Sequence, residues 1–215
     1  MKANLTEIGV VLDESGSMGF VRGDTIGGFN TFLEDQKKLP GEAKFTLVKF
    51  ANGATVIHDG VPIGDVPPLD ESTYAPGGGT ALLDALGNAI NSIEQRIEGL
   101  PDDEKPSRVI LVIITDGHEN ASREFGLKQI KKMIEERQAS RFWEFLFLAA
   151  NIDAFAGASS IGVAGMNTSA YRQSAKGMSA MYMSSSERVG AMRGGLSAAD
   201  LGQFEVKDKD DKDAD

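Results

Sequence analysis

The stretch Ile8-Gly9-Val10-Val11-Leu12-Asp13-Glu14-Ser15-Gly16-Ser17-Met18-Gly19 decides how the rest of the chain is read. Its first five residues are uninterrupted by any charge, the pattern of a strand buried on both faces as in a parallel sheet. The run stops at Asp13, and the hydroxyls of Ser15 and Ser17 follow at alternate positions in a glycine-containing turn. In open α/β sheets, ligands bind at the carboxyl ends of strands. A carboxylate and two hydroxyls at such an end make a hard oxygen cluster suited to Mg²⁺. The pattern D-x-S-x-S is common by itself, so its meaning depends on what other segments bring to it.

Working outward, residues 22–38 place Ile26, Phe29, Phe32 and Leu33 at helical spacing, with charges largely on the other side, and Leu39-Pro40-Gly41 ends the helix. Two strand-like runs, 44–51 and 54–60, flank Asn52-Gly53, a strong hairpin signal that puts one antiparallel strand at a sheet edge. His58 falls in that hairpin and reads as an ordinary strand residue. Residues 61–79 hold four of the seven prolines and end in Pro76-Gly77-Gly78-Gly79. So long a loop inside a compact domain suggests a functional role. It delivers Thr80 to the start of a helix carrying Leu82, Leu83, Leu86, Ile90 and Ile93 inward. Thr80 reads either as the helix N-cap or as a metal ligand. No G-x-x-x-x-G-K-[ST] is present, which disfavours nucleotide binding.

The most apolar run, 109–114, reads as a central parallel strand, and it too ends in a carboxylate, Asp116. Two buried strands ending in Asp bring both carboxylates within reach of one ion if they are neighbours. Leu127, Ile130, Met133 and Ile134 mark an inward helix stripe over about 123–138, and 143–150 is the next strand. Asp153 is a candidate N-cap. A final short strand falls near 166–171. A methionine-rich helical stripe follows over 174–193, interrupted at the serines 184–186.

The chain has 215 residues, 41% hydrophobic and 25% charged, with net charge −10 and no cysteine. That is enough for one domain, here taken as residues 1–200. Residues 201–215 are expected to be an acidic, disordered tail: positions 205–215 carry six acids against three lysines. The net charge argues against nonspecific nucleic-acid binding and against anionic membranes. No export signal or membrane-length apolar run is evident, so a cytoplasmic protein is expected.

The set Asp13-x-Ser15-x-Ser17, Thr80 in GGGTALLDA and Asp116 in ITDGHEN resembles the metal-ion-dependent adhesion site of von Willebrand factor A (VWA) domains. Order, intervals and strand or helix context all agree across about residues 4–195. GFNTFLEDQK, GGGTALLDA and ANIDAFAGASSIG are similar to the cytoplasmic bacterial and phage branch that includes VWA proteins linked to tellurium-resistance clusters. The resemblance implies an α/β fold: a doubly wound, mostly parallel sheet with one antiparallel edge strand and helices on both faces. It implies that Ser15, Ser17 and Thr80 reach Mg²⁺ (Mn²⁺ as the alternative) through hydroxyls, and that Asp13 and Asp116 bind it directly or through water. It implies a protein partner presenting an Asp or Glu carboxylate to the ion.

His118, Glu119 and Asn120 beside Asp116 form a candidate contact rim, or else a solvated turn capping the next helix. Asp84, a turn into its helix, is a candidate for orienting ligands or water from behind, or for stabilising that helix's first turn. A noncatalytic interaction module is the leading expectation, because the chain offers no nucleophile–base pairing. The alternatives are a metal-assisted phosphoester hydrolase using His118 and a structural or virion-associated scaffold. The hydrolase is disfavoured by having two acidic ligands and no Lys or Arg cluster beside the motif.

Overall fold

The structure is a computed structural model that describes residues 1–140, 142–150 and 154–207. Six strands, β1 (Lys2–Asp13), β2 (Glu42–Phe50), β3 (Ala54–Pro62), β4 (Pro106–Thr115), β5 (Trp143–Ala149) and β6 (Thr168–Ala170), form one sheet in the order β3-β2-β1-β4-β5-β6. β3 pairs antiparallel with β2 through the Asn52-Gly53 turn; the other pairings are parallel. The expected fold is therefore the observed one. Alternate residues of the apolar runs face opposite layers. Ile8, Val10, Leu12, Ile110, Val112 and Ile114 belong to one core cluster, whereas Val11, Leu111 and Ile113 belong to the other. Both faces are covered, which is why the runs are continuous rather than alternating.

Helices α1 (Arg22–Lys38) and α5 (Ala175–Arg193) cover the first face; α2 (Leu82–Glu98), α3 (Leu127–Ala139) and α4 (Ala154–Ser160) cover the second. A short α6 (Ala198–Leu201) follows α5. α1 and α5 approach closely at Gly28, where a Cβ would lie 2.1 Å from the ring of Tyr182. The serines that interrupt the apolar stripe do not interrupt the helix: α5 runs unbroken, and Ser184, Ser185 and Ser186 are all buried. Ser185 Oγ donates to the carbonyl of Met181, while Gln36 Nε2 donates to the hydroxyl of Ser186. Ser184 Oγ accepts from Lys207 N, so all three buried hydroxyls are hydrogen-bonded.

Two further expectations shift. α3 begins at Leu127, and that residue is 46% exposed rather than turned inward. Packing also continues past residue 200: Phe204 is 3% exposed, with the Arg188 guanidinium 5.1 Å from its ring centroid. Residues 208–215, which hold most of the expected acidic tail, lie outside the described residues, as does Asp153. Among the described residues, no helix is long and apolar enough to cross a membrane.

Candidate metal centre

The strand order reverses between β1 and β4, and in doubly wound sheets the crevice at that switch point takes the ligand. The register pairs Leu12 with Ile114, so Asp13 and Thr115 stand level on the same face at the carboxyl ends of adjacent strands. Thr115 Oγ1 donates to Asp13 Oδ2 at 2.6 Å. The backbone N–H of Ser15 donates to Asp13 Oδ1 at 2.7 Å, a local turn bond that starts the Gly16–Val21 3-10 turn. Asp13 is fully buried, and burial pushes its carboxyl above the usual carboxylate range. The hydrogen bonds from Ser15 and Thr115 pull the other way, and the negative charge of Asp116 adds to the rise.

The hydroxyls close the cluster. Ser15 and Ser17 Oγ atoms lie 3.2 Å apart, and Ser17 Oγ donates to Asp116 Oδ1 at 2.7 Å. Thr80 enters from the other side, 4% exposed, with its hydroxyl against Gly117: a Cβ there would stand 3.1 Å from Thr80 Oγ1. Thr80 is not the N-cap of α2. Ala81 holds that place without a side-chain cap, because the main chain is claimed by other loops. Asn120 Oδ1 accepts from Thr80 N, Thr80 O accepts from Asn120 N, and Ala51 O accepts from Ala81 N.

The long loop before Thr80 is built into this arrangement. Arg22 Nε donates to the carbonyl of Tyr74, and Asn30 pairs with the backbone of Leu69 through both its amide atoms. The buried Tyr74 hydroxyl donates to the Asp13 carbonyl at 2.6 Å. Gly78 has φ +82, with Asn52 packed where a side chain would go, and its carbonyl accepts from Gly16 N. Glycine is required there because both the backbone region and the space exclude a side chain.

Two of the candidates are engaged by backbone amides. Glu119 is not a free rim group: its oxygens accept from Leu83 N, Ala121 N, Ser122 N and Ser122 Oγ, tying the 117–122 turn to the start of α2. Asp84 touches none of the five candidate ligands. Although buried, it accepts from the amides of Arg123, Glu124 and Phe125, and burial is outweighed by those bonds, which hold its carboxyl below the usual range. His118 is exposed, and the Asn120 side chain is engaged with Thr80.

Three residues at the site carry no local signal in the sequence. Thr115 orients Asp13, as described. Tyr171, just beyond β6, donates from its buried hydroxyl to the Thr115 carbonyl. Gln173 Nε2 donates to Asp116 Oδ2 and lies 3.3 Å from the Ser17 carbonyl, bridging two of the loops. Among the described residues, no group of three or more His, Cys, Asp or Glu side chains is placed to hold a metal ion. A centre here rests on hydroxyls as much as on carboxylates.

With this geometry in view, the likeness to solved structures is informative about fold. The chain is similar to proximal thread matrix protein 1 from the mussel byssus, with a TM-score of 0.60 and 16% identity over 87% of this chain and 47% of that one. A second structure of that protein has a zinc-occupied MIDAS motif and matches at 17% identity with the same TM-score. The fold is VWA-like. A von Willebrand factor type A structure from Catenulispora acidiphila aligns at TM-score 0.53 and 15% identity, over 86% of this chain and 42% of that one. The pilus adhesin SpaC from Lactobacillus rhamnosus GG aligns at 0.62 and 13%, over 88% and 30%. The chain spans less than half the length of each of these structures. No family model matches the chain, and no curated protein matches it significantly.

Proposed function

We propose that Asp13, Ser15, Ser17, Thr80 and Asp116 hold a divalent cation, Mg²⁺ or Mn²⁺, through which the chain binds an Asp or Glu carboxylate of a protein partner. The observation that carries this reading is the convergence of three loops, separated by tens of residues, on one oxygen-rich point at the switch of the sheet. The donor set fits a hard cation: two carboxylates, three hydroxyls and no sulfur or imidazole. The fully buried Asp13 is held by neutral partners, an amide and a hydroxyl, so a cation beside it would answer a charge that the fold otherwise keeps at a cost. Bound there, the ion would supply a Lewis-acidic centre for an incoming carboxylate. That a structure with this fold has a zinc-occupied MIDAS motif supports a divalent ion as the ligand.

The protein's own residues would do the positioning. Thr115 and the Ser15 amide orient Asp13, while Gln173 and Ser17 orient Asp116. The test is recovery of partners from the native host by wild type and Asp13→Ala, each in Mg²⁺ and in EDTA. Partners retained only by wild type with Mg²⁺ support the proposal. Equal retention in all four conditions refutes it.

A further inference from the structure

Beside the candidate centre lies a cleft of about 280 Å³. Asp116, Gly117 and His118 form the wall it shares with the centre; Leu83, Leu127, Phe147 and Ile161 make it apolar. Leu83, Phe147 and Ile161 are at most 7% exposed, so they are fixed by the core, whereas Leu127 stands open at 46%. Of the two acids in the lining, Asp116 belongs to the candidate centre, and Glu119 is already engaged by backbone amides and the Ser122 hydroxyl. The volume lies just below the range usual for small-molecule and cofactor sites. It suits one or two apolar side chains.

A second apolar feature sits across the centre. Phe20, three residues after Ser17 in the Gly16–Val21 turn, is 91% exposed. At roughly 2 Å of rise per residue, it stands about 6 Å along the turn from that candidate ligand. Its neighbours Met18 and Val21 are buried in the α1–α5 layer, whereas the cleft residues Leu83, Phe147 and Ile161 belong to the opposite layer. An exposed apolar residue is ordinary in isolation. Here one projects on one side of the centre and an apolar cleft opens on the other, the arrangement of a polar contact flanked by desolvating anchors.

We propose that the partner segment carries a bulky apolar residue (Leu, Ile, Met or Phe) within about three positions of its metal-binding acid, and that this side chain seats in the cleft while Phe20 covers apolar surface on the partner's other side. The occupant follows from complementarity. Away from the Asp116–His118 wall the lining is apolar apart from Thr115, Glu119 and Ser160, whose side chains are already hydrogen-bonded, and the shared Asp116 wall makes cleft and centre one continuous surface. This inference rests on the proposed metal-bridged function and specifies the partner for it.

The probe is a phage-displayed heptapeptide library with a fixed central Asp, selected on the intact chain in Mg²⁺ and eluted with EDTA. Wild type should enrich peptides with an apolar residue within three positions of the Asp by about tenfold or more, the ratio expected for burying one such side chain. Leu127→Glu and Phe20→Ser, both at exposed positions, should each lower binding of the selected peptides about tenfold while keeping the Mg²⁺-induced rise in melting temperature. EDTA-elutable peptides with no apolar preference, or a preference unchanged in Leu127→Glu, overturn the cleft and leave the metal bridge standing. No EDTA-elutable enrichment by wild type overturns the metal bridge itself, and the cleft proposal with it.

Discussion

Asp13→Asn should change stability in opposite directions with and without metal. Asp13 is fully buried, and its pKa is raised by that burial. A raised carboxyl stabilises the native state below the unfolded pKa, and that contribution is lost as pH rises through the native value, so the metal-free wild type bears the cost at pH 7. Asparagine removes the charge and fits the same bonds. Its Oδ1 can still accept from Ser15 N, and its amide can donate to Thr115 Oγ1 if that hydroxyl turns to Gly117 O, 3.3 Å away. Removing the desolvated charge while keeping its hydrogen bonds is worth on the order of 2 kcal/mol. In a domain of this size 1 kcal/mol moves the melting temperature by roughly 2–4 °C, so the variant should melt about 4–8 °C above wild type in EDTA at pH 7. In Mg²⁺ at a hundred times the dissociation constant, wild type gains about 2.7 kcal/mol and the order inverts. Thermal melts of both proteins in EDTA and in Mg²⁺ read all four values. An asparagine variant that melts below wild type in EDTA, or that shows the full Mg²⁺ shift, refutes the reasoning.

Gln173→Ala removes the amide that holds Asp116 Oδ2. Mg²⁺ affinity by calorimetry should fall about 10- to 100-fold, with little change in melting temperature in EDTA because the residue is exposed. Asp84→Ala should do the reverse: three loop amides lose their acceptor, costing about 2–3 kcal/mol or roughly 4–12 °C, with Mg²⁺ affinity nearly unchanged. Because the Asp84 carboxyl is held low, its stabilising contribution is present at neutral pH and should be lost as pH falls through that lowered value. Glu7 is the opposite case. Burial raises its carboxyl despite the Arg96 ion pair, and one of its oxygens has no hydrogen-bond partner. Its contribution to metal-free stability should decline as pH rises from the ordinary carboxylate range, and melts across about pH 4–7 should show a smaller decline in Glu7→Gln.

The readable parts of this protein were those set by local pattern. The hairpin at Asn52-Gly53 and the buried strands ending near Asp13 and Asp116 depend on residues within a few positions of each other. Local pattern says less where tertiary contacts decide. Thr80 looks like a helix cap, but pairing with Asn120 fixes it one position before the Ala81 cap. The serines 184–186 interrupt the apolar stripe, and only the fold shows them buried within α5, where Ser186 meets Gln36 of α1. Leu127 fits an inward stripe, yet as the first residue of α3 it stands open beside the cleft.

From the sequence alone came the fold class and the five candidate ligands, because a strand's burial and a turn's oxygen content are written in neighbouring residues. Only the tertiary structure decided what surrounds those ligands. Thr115 meets Asp13 across 102 positions, Tyr74 across 61, and Gln173 meets Asp116 across 57. Such pairings depend on the register of β4 on β1 and on where the loops return. No spacing rule along the chain encodes them. Glu119 and Asp84 show the same limit from the other side: the amides that their carboxylates accept from lie 36 and 39 positions away and are brought there by the fold.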